Sequence, residues 1–255
     1  EGPGRMLEPQ AIIEALQALQ SNSLLAGKKF LITAGPTREP LDPVRFITNR
    51  SSGKMGFALA ETALEQGADV SLVCGPVQLQ TDSRIRRIDI ETALQMHEKV
   101  QELISSQDIF IACAAVADYR PAEEQPEKIK KSTEQTEIKL VRNPDIVEQA
   151  RQTAPHVYTV GFAAETTELA QHAQQKLVNK GLDMIIANQV GKSAGDSGFD
   201  SDFNTVEVFW EGGQQSYSRE LKKHLATLLI ELIAQQYNNK KDYHSNVRYI
   251  ETQTH

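Results

Sequence analysis

From residue 28 onward, short runs of apolar residues alternate with longer stretches in which apolar positions recur every three to four residues. The first pattern predicts buried strands and the second amphipathic helices. Strands are predicted over 30–34 (FLITA), 69–74 (DVSLVC), 84–90, 108–114, 136–141, 157–162 and 183–187. A closing hairpin is predicted from 205–210 and 214–218 around Gly212-Gly213. Helices are predicted over 53–66, where Gly67 is a C-terminal stop signal, and over 91–106, 145–152, 166–180 and 219–236. Residues 37–52 read as a polar loop and 237–255 as a polar, disordered tail. Ahead of these, 1–9 is rich in Gly and Pro, 11–20 carries Ile12, Ile13, Leu16 and Leu19 on one helical face, and 21–27 reads as a linker. Residues 1–27 are therefore expected to be an extension or the tail of a preceding domain, and a start at Glu1 rather than Met suggests a fragment or a processed chain.

Alternating strands and helices predict an α/β fold: a Rossmann-like, mostly parallel sheet flanked by helices, with a small terminal β-hairpin. FLITA, IFIACAA and VYTVGF are apolar at successive positions and hence on both faces, as central parallel strands require. In such sheets a ligand binds beyond the carboxyl ends of the strands, where the strand order reverses. The segments just after each strand are therefore where chemistry is sought.

After the first strand, Ser51, Ser52 and Gly53 precede a helix that has Gly56 in its first turn. Small residues before a helix N-terminus, with its unpaired N–H groups, suit a phosphate cradle; they suit tight packing equally well. The string SGKMG is not a P-loop, and no GxGxxG follows the strand. The second strand ends at Cys74-Gly75, where a dinucleotide site would need a ribose-binding acid, so a nicotinamide cofactor is disfavoured. Asn49 either caps a turn or offers an amide that donates and accepts at once. Asp118, after the fourth strand, could meet a divalent metal or a sugar hydroxyl. Lys128, Lys130 and Lys131 form either a solvated charge run or a polyphosphate site. Asn143-Pro144-Asp145 is a strong helix start at a strand end, where backbone could also meet a base or ribose. Phe162 is core or a stacking platform. Lys176 and Lys180 lie four apart on one helical face, which is either a solvated face or, because like charges repel, one with an anion between them.

The 255 residues allow one large domain or two small ones, and carry 34 acidic against 27 basic side chains, a net charge of −7. That balance disfavours nucleic acid as the main partner without excluding small anions. No apolar run approaches the ~18 residues of a membrane span. Cys74 and Cys113 lie in apolar runs and read as buried free thiols of a cytoplasmic protein. The histidines are scattered, and no G-x-S-x-G elbow or HExxH is present.

Whole motifs sharpen this picture. LITAGPTREPLDPVRFITNRSSGKMG, CAAVADYRP, EKIKK, KLVRNPDIV and VGFAAET, in that order within 28–236, resemble the phosphopantothenoylcysteine synthetase family. The resemblance implies CTP-dependent ligation of L-cysteine to 4′-phosphopantothenate through an acyl-cytidylate, with Mg²⁺, in a homodimer whose sites are completed across the interface. It implies Asn49 and Lys128 as catalytic residues. Ala114, Ala115, Asp118, Lys128, Pro144, Asp145, Ile146, Val147, Phe162, Lys176 and Lys180 would bind CTP, with Asp118 the candidate metal ligand. Asn49, Ser51, Ser52 and Gly53 would hold phosphopantothenate or its phosphate. EGPGRMLEP is similar to the end of the decarboxylase half of bifunctional coenzyme A biosynthesis proteins, a flavoprotein; the body of that half lies outside 1–255, so no flavin is expected in this segment. An NADP-dependent reductase would share the fold but lacks its glycine fingerprint here. A degenerate regulatory relative should have lost Asn49 or Lys128, and both are present.

Overall fold

A computed structural model of the chain describes residues 8–9, 25–130, 136–165, 168–189 and 201–253, with side chains up to residue 241. The apolar face of 11–20 and Lys131 lie outside the described residues. The strands are β1 (Lys29–Ala34), β2 (Arg38–Pro40), β3 (Phe46–Thr48), β4 (Asp69–Cys74), β5 (Arg86–Asp89), β6 (Ile109–Ala112), β7 (Tyr119–Pro121), β8 (Leu140–Arg142), β9 (Tyr158–Glu165), β10 (Met184–Gln189), β11 (Phe203–Trp210) and β12 (Gly213–Leu221). The helices are α1 (Lys54–Glu65), α2 (Ala93–Leu103), α3 (Ile146–Thr153), α4 (Leu169–Asn179) and α5 (Lys222–Gln253).

Among the described residues, eight strands form the main sheet in the order β12-β11-β10-β9-β6-β1-β4-β5. Strands β10, β9, β6, β1, β4 and β5 run parallel, and β11 and β12 continue the sheet antiparallel. From β1 the chain builds outward through β4 to β5, then returns to place β6 on the other side of β1. The strand order therefore reverses between β1 and β6, and a crevice opens beyond their carboxyl ends.

Successive side chains of a strand face opposite ways, so a strand apolar at every position needs cover on both faces. In β1, Phe30, Ile32 and Ala34 pack with Leu59 of α1 and with Leu229 and Ile233 of α5. Leu31 faces the other layer, with Val73, Phe110, Met96 and Val100 of α2, and Ile146 of α3. A smaller cluster joins Ala163 and Ile185 to Ala173 of α4 and Phe209 of β11. Helix α2 starts in a capping box of Thr92 and Gln95.

Several predicted elements are corrected. The polar loop 37–52 contains a two-stranded ribbon of β2 and β3. The strand predicted over 136–141 is only Leu140–Arg142, and it pairs with β7 outside the main sheet. Strand β12 extends through Leu221, paired with Phe203, so the closing helix starts at Lys222 rather than 219. The closing helix runs past 236, through the segment read as a polar, disordered tail, to Gln253. Tyr237 explains why. It is 4% exposed, meets Tyr158 edge-on at 6.0 Å, and donates to Asp108 at 2.7 Å. Lys240 pairs with Asp183 one turn later. At the other end, Leu25, read as linker, is buried in the core.

Candidate functional site

The site begins where β1 delivers the chain to helix α1. Gly53 is the N-cap of α1 at φ 80°, in the left-handed region that glycine adopts without steric cost. One turn on, a Cβ at Gly56 would stand 2.6 Å from Ala34 Cβ, so only glycine lets the helix start lie this close to β1. The first turn of α1 contains no acidic residue and Gly53 makes no side-chain cap bond, so no carboxylate of that turn offsets the positive end of the helix.

The opposite wall is 113–118, where the chain leaves β6. Ala115 N donates to Gly35 O at 2.9 Å, and Ala117 N to Thr37 Oγ1 at 3.0 Å. Asn49 Nδ2 donates to Ala115 O at 3.0 Å and Val116 O at 3.1 Å. The Asn49 amide nitrogen is thus occupied in holding this wall, and its Oδ1 is the atom left for a ligand. Asn143 closes the far side: its N donates to Asp118 O at 2.8 Å and its Nδ2 to Ala117 O at 2.8 Å.

These walls enclose a cavity of about 690 Å³, within the range of small-molecule sites. Asn49, Ser51, Gly53, Ala114, Ala115, Asp118, Pro144, Asp145, Ile146, Val147, Phe162, Lys176 and Lys180 all line it. Sequence positions from 49 to 180 thereby converge on one space at the switch point.

Two predicted site residues do not line it. Ser52 lies beside the cradle, and Lys128 is exposed on the loop after β7, outside its own chain's cavity. The gathering of lysines is also revised. Lys180 pairs with Asp145 Oδ2 at 2.9 Å, so the repulsion expected between Lys176 and Lys180 is relieved by a carboxylate of the protein itself. Burial pushes the Asp145 carboxyl up, but Lys180 and the Glu148 N–H outweigh it and hold it below its ordinary value. Asp145 is the N-cap of α3 and accepts from Glu148 N, so Pro144 precedes the cap instead of occupying the first turn.

The cavity also contains residues that were not anticipated. Lys54 follows Gly53 directly and pairs with Asp202 at 2.8 Å. Lys222 opens α5, and Asn188 and Asn204 come from the adjacent strands β10 and β11; all three are buried. Lys54 was legible once the cradle was found. Asn188 lies near a strand end and could have been reached by the same rule. Lys222 and Asn204 arrive only through the added antiparallel strands.

The Cys74 and Cys113 thiols are pushed up to about 11 and about 12 by burial, so neither is a ready thiolate. Among the described residues no group of three or more His, Cys, Asp or Glu could hold a metal ion. No described helix is long and apolar enough to cross a membrane.

The family model of the DNA/pantothenate metabolism flavoprotein C-terminal domain matches residues 25–237. The chain belongs to this family. The match begins at Leu25, the first buried residue described in the core. The chain is 51% identical over 238 residues to the coenzyme A biosynthesis bifunctional protein CoaBC of Vibrio cholerae, covering 92% of this chain and 59% of that protein. It is 48% identical over 244 residues to the Escherichia coli K12 protein of the same name, covering 94% and 60% respectively. The chain thus spans about three-fifths of the length of these relatives. Among solved structures, the C-terminal domain of a CoaBC protein superposes with a TM-score of 0.73 at 36% identity, covering 86% of this chain and all of that one. This agrees with the α/β architecture described above.

Proposed function

We propose that this chain is the ligase segment of a bifunctional coenzyme A biosynthesis protein and joins L-cysteine to 4′-phosphopantothenate at the expense of CTP. The observation that carries the reading is the convergence on one switch-point cavity of a phosphate cradle, Asn49, Asp118, Lys176 and residues 144–147. Family membership and the bifunctional coenzyme A names of the relatives support it.

In this reading the Gly53 turn and the start of α1 take an anionic group through backbone N–H groups. The segment 144–147, with Phe162, receives the cytidine, and Lys176 offsets charge of the triphosphate while Lys180 is held by Asp145. The phosphopantothenate carboxylate attacks the α-phosphorus, and pyrophosphate leaves. A carboxylate has no good leaving group, and the acyl-cytidylate provides one. The barrier to this step is largely anion meeting anion, so positioned cations lower it. The amine of cysteine then attacks the acyl carbon, CMP departs, and the amide is formed. Asn49 Oδ1, its Nδ2 being occupied, accepts from that amine and aligns it.

A magnesium ion carried by nucleotide phosphates needs only one or two protein carboxylates, and the cavity offers Asp118 for this part. When bound, it would neutralise phosphate charge. No flavin chemistry is assigned to this segment; it would belong to the decarboxylase half of the same polypeptide.

The working form in this reading is a cytoplasmic homodimer. Lys128 does not line its own chain's cavity. Near it, β2 lies beside β7, and Val44, Phe46, Tyr119, Ile138 and Leu140 of the two ribbons are exposed apolar residues. Such a patch suits a second copy, which would bring Lys128 to a neighbouring cavity.

The test supplies CTP, Mg²⁺ and 4′-phosphopantothenate. Pyrophosphate release should require phosphopantothenate, and CMP and product should appear only when cysteine is added. The Asn49→Asp variant should release pyrophosphate yet accumulate acyl-cytidylate. Equal use of ATP, or pyrophosphate release without phosphopantothenate, would rule the reading out.

A further inference from the structure

Asp42 stands at the tip of the β2–β3 ribbon and is 2% exposed, unusual for a carboxylate. Its two oxygens serve different segments. Oδ1 accepts from Val44 N at 2.8 Å and Arg45 N at 2.9 Å, which shapes the ribbon tip. Oδ2 accepts from the Arg45 guanidinium and, at 3.1 Å, from Ile129 N, 87 residues away in sequence. Arg45 Nη2 in turn donates to Ile129 O at 2.9 Å. The N–H and the C=O of Ile129 are therefore both gripped by one ion pair. The Ile129 nitrogen is the amide partner of the Lys128 carbonyl, so the grip fixes the backbone immediately beside Lys128. A second tie, Gln125 N to Leu41 O at 3.0 Å, holds the same loop to the same ribbon. Residues 122–130 otherwise belong to no helix or strand.

We propose that Asp42 and Arg45 are positioning residues, whose joint grip on Ile129 sets the place of the Lys128 ammonium in the ligase reaction. The proposal rests on the ligase reading, in which Lys128 is a cation brought to a neighbouring cavity for the pyrophosphate-releasing step. The Arg45 guanidinium beside Asp42 holds its carboxyl well below the usual carboxylate range, against the opposing push of burial, and the N–H groups of Ile129, Val44 and Arg45 add to that hold. The ionised form therefore makes the grip at neutral pH. A neutral amide would not replace it. In Asp42→Asn, Oδ1 can still accept from Val44 and Arg45, but Nδ2 would face only donors: the guanidinium and the Ile129 N–H. The substitution thus spares the ribbon tip and breaks the hold on the loop.

The experiment compares wild type, Asp42→Asn, Lys128→Gln and the double variant in two measurements: amide hydrogen exchange at Ile129, and CTP- and phosphopantothenate-dependent pyrophosphate release. In Asp42→Asn, exchange at Ile129 should quicken by about tenfold or more. Its kcat for pyrophosphate release should fall about tenfold, with KM for CTP little changed, because a misplaced group costs rate rather than binding. In the Lys128→Gln background Asp42→Asn should cost nothing further, since the residue it positions is already gone. An equal loss in both backgrounds, or unchanged exchange at Ile129, overturns the proposal. Should Asp42→Asn fail to fold, Arg45→Lys keeps the Oδ1 turn, loses the planar fork that reaches Ile129 O, and should show the same faster exchange. A wild-type chain that releases no pyrophosphate defeats the ligase reading and with it the task of Lys128. Unchanged Ile129 exchange in an active chain defeats the positioning proposal alone.

Discussion

Segments 113–118 and 122–130 lie only a few residues apart, and both hold residues expected to touch the nucleotide, yet they are supported differently. The first leaves a central strand of the sheet and is tied by Asn49, Thr37, Gly35 and Asn143, with Ala117 buried. The second is exposed and held to a surface ribbon chiefly through Asp42, Arg45 and Leu41. A wall hung on a buried sheet cannot change without cost to the fold, whereas a loop held at the surface by one ion pair and a few backbone bonds can change while the fold stays intact. Residues of the wall therefore also carry stability, whereas the part proposed for Lys128 can be tested apart from the fold.

The sharpest way to break this contrast is Lys128→Gln. It should lower pyrophosphate release by about 10²–10³ while changing unfolding free energy by no more than about 0.5 kcal/mol. Steady-state kinetics and urea unfolding on one preparation measure both, and a large stability loss would place Lys128 in the wall class. Next comes Gly56→Val, whose Cβ would stand 2.6 Å from Ala34 Cβ. It should cost about 1–3 kcal/mol of stability and weaken CTP binding together with it; calorimetry showing full stability with lost binding would separate what the contrast joins. The smallest effect concerns Asp145 and Lys180. The Asp145 carboxyl titrates below its ordinary 3.8, so its contribution is present above that value and is lost as pH falls through the lower, folded-state value. An NMR titration should find this midpoint below 3.8 and see it rise in Lys180→Met. A midpoint unmoved by that substitution would show that the pair carries none of the shift.

Much of the wall was legible along the chain. Once 30–34 and 108–114 were read as central parallel strands, the strand-end rule led to Gly53, Asp118 and Asp145 without any tertiary information. The segments misread were those whose structure depends on a distant partner. Residues 38–48 form a ribbon through mutual pairing and lie beside β7, which a local window does not reveal. Tyr237 looks like one polar-tail residue among many until Tyr158 and Asp108 are found beneath it. Lys176 and Lys180 read along the chain as a solvated face or an anion site, and only the fold shows that Asp145, 35 positions upstream of Lys180, pairs with it.

The alternation of strands and helices, the both-face burial of the central strands, and thus the sheet edge at which a ligand is sought, are legible in residue order, because hydrophobic periodicity is a local property of the chain. The tertiary structure alone decided which charges meet. It paired Lys180 with Asp145 and Lys54 with Asp202, buried Lys222 and Asn204 in the cavity wall, kept Lys128 out of it, and set Asp42 and Arg45 on the backbone beside Lys128. Electrostatic contacts depend on distances between atoms far apart in the chain, and only the folded arrangement sets those distances.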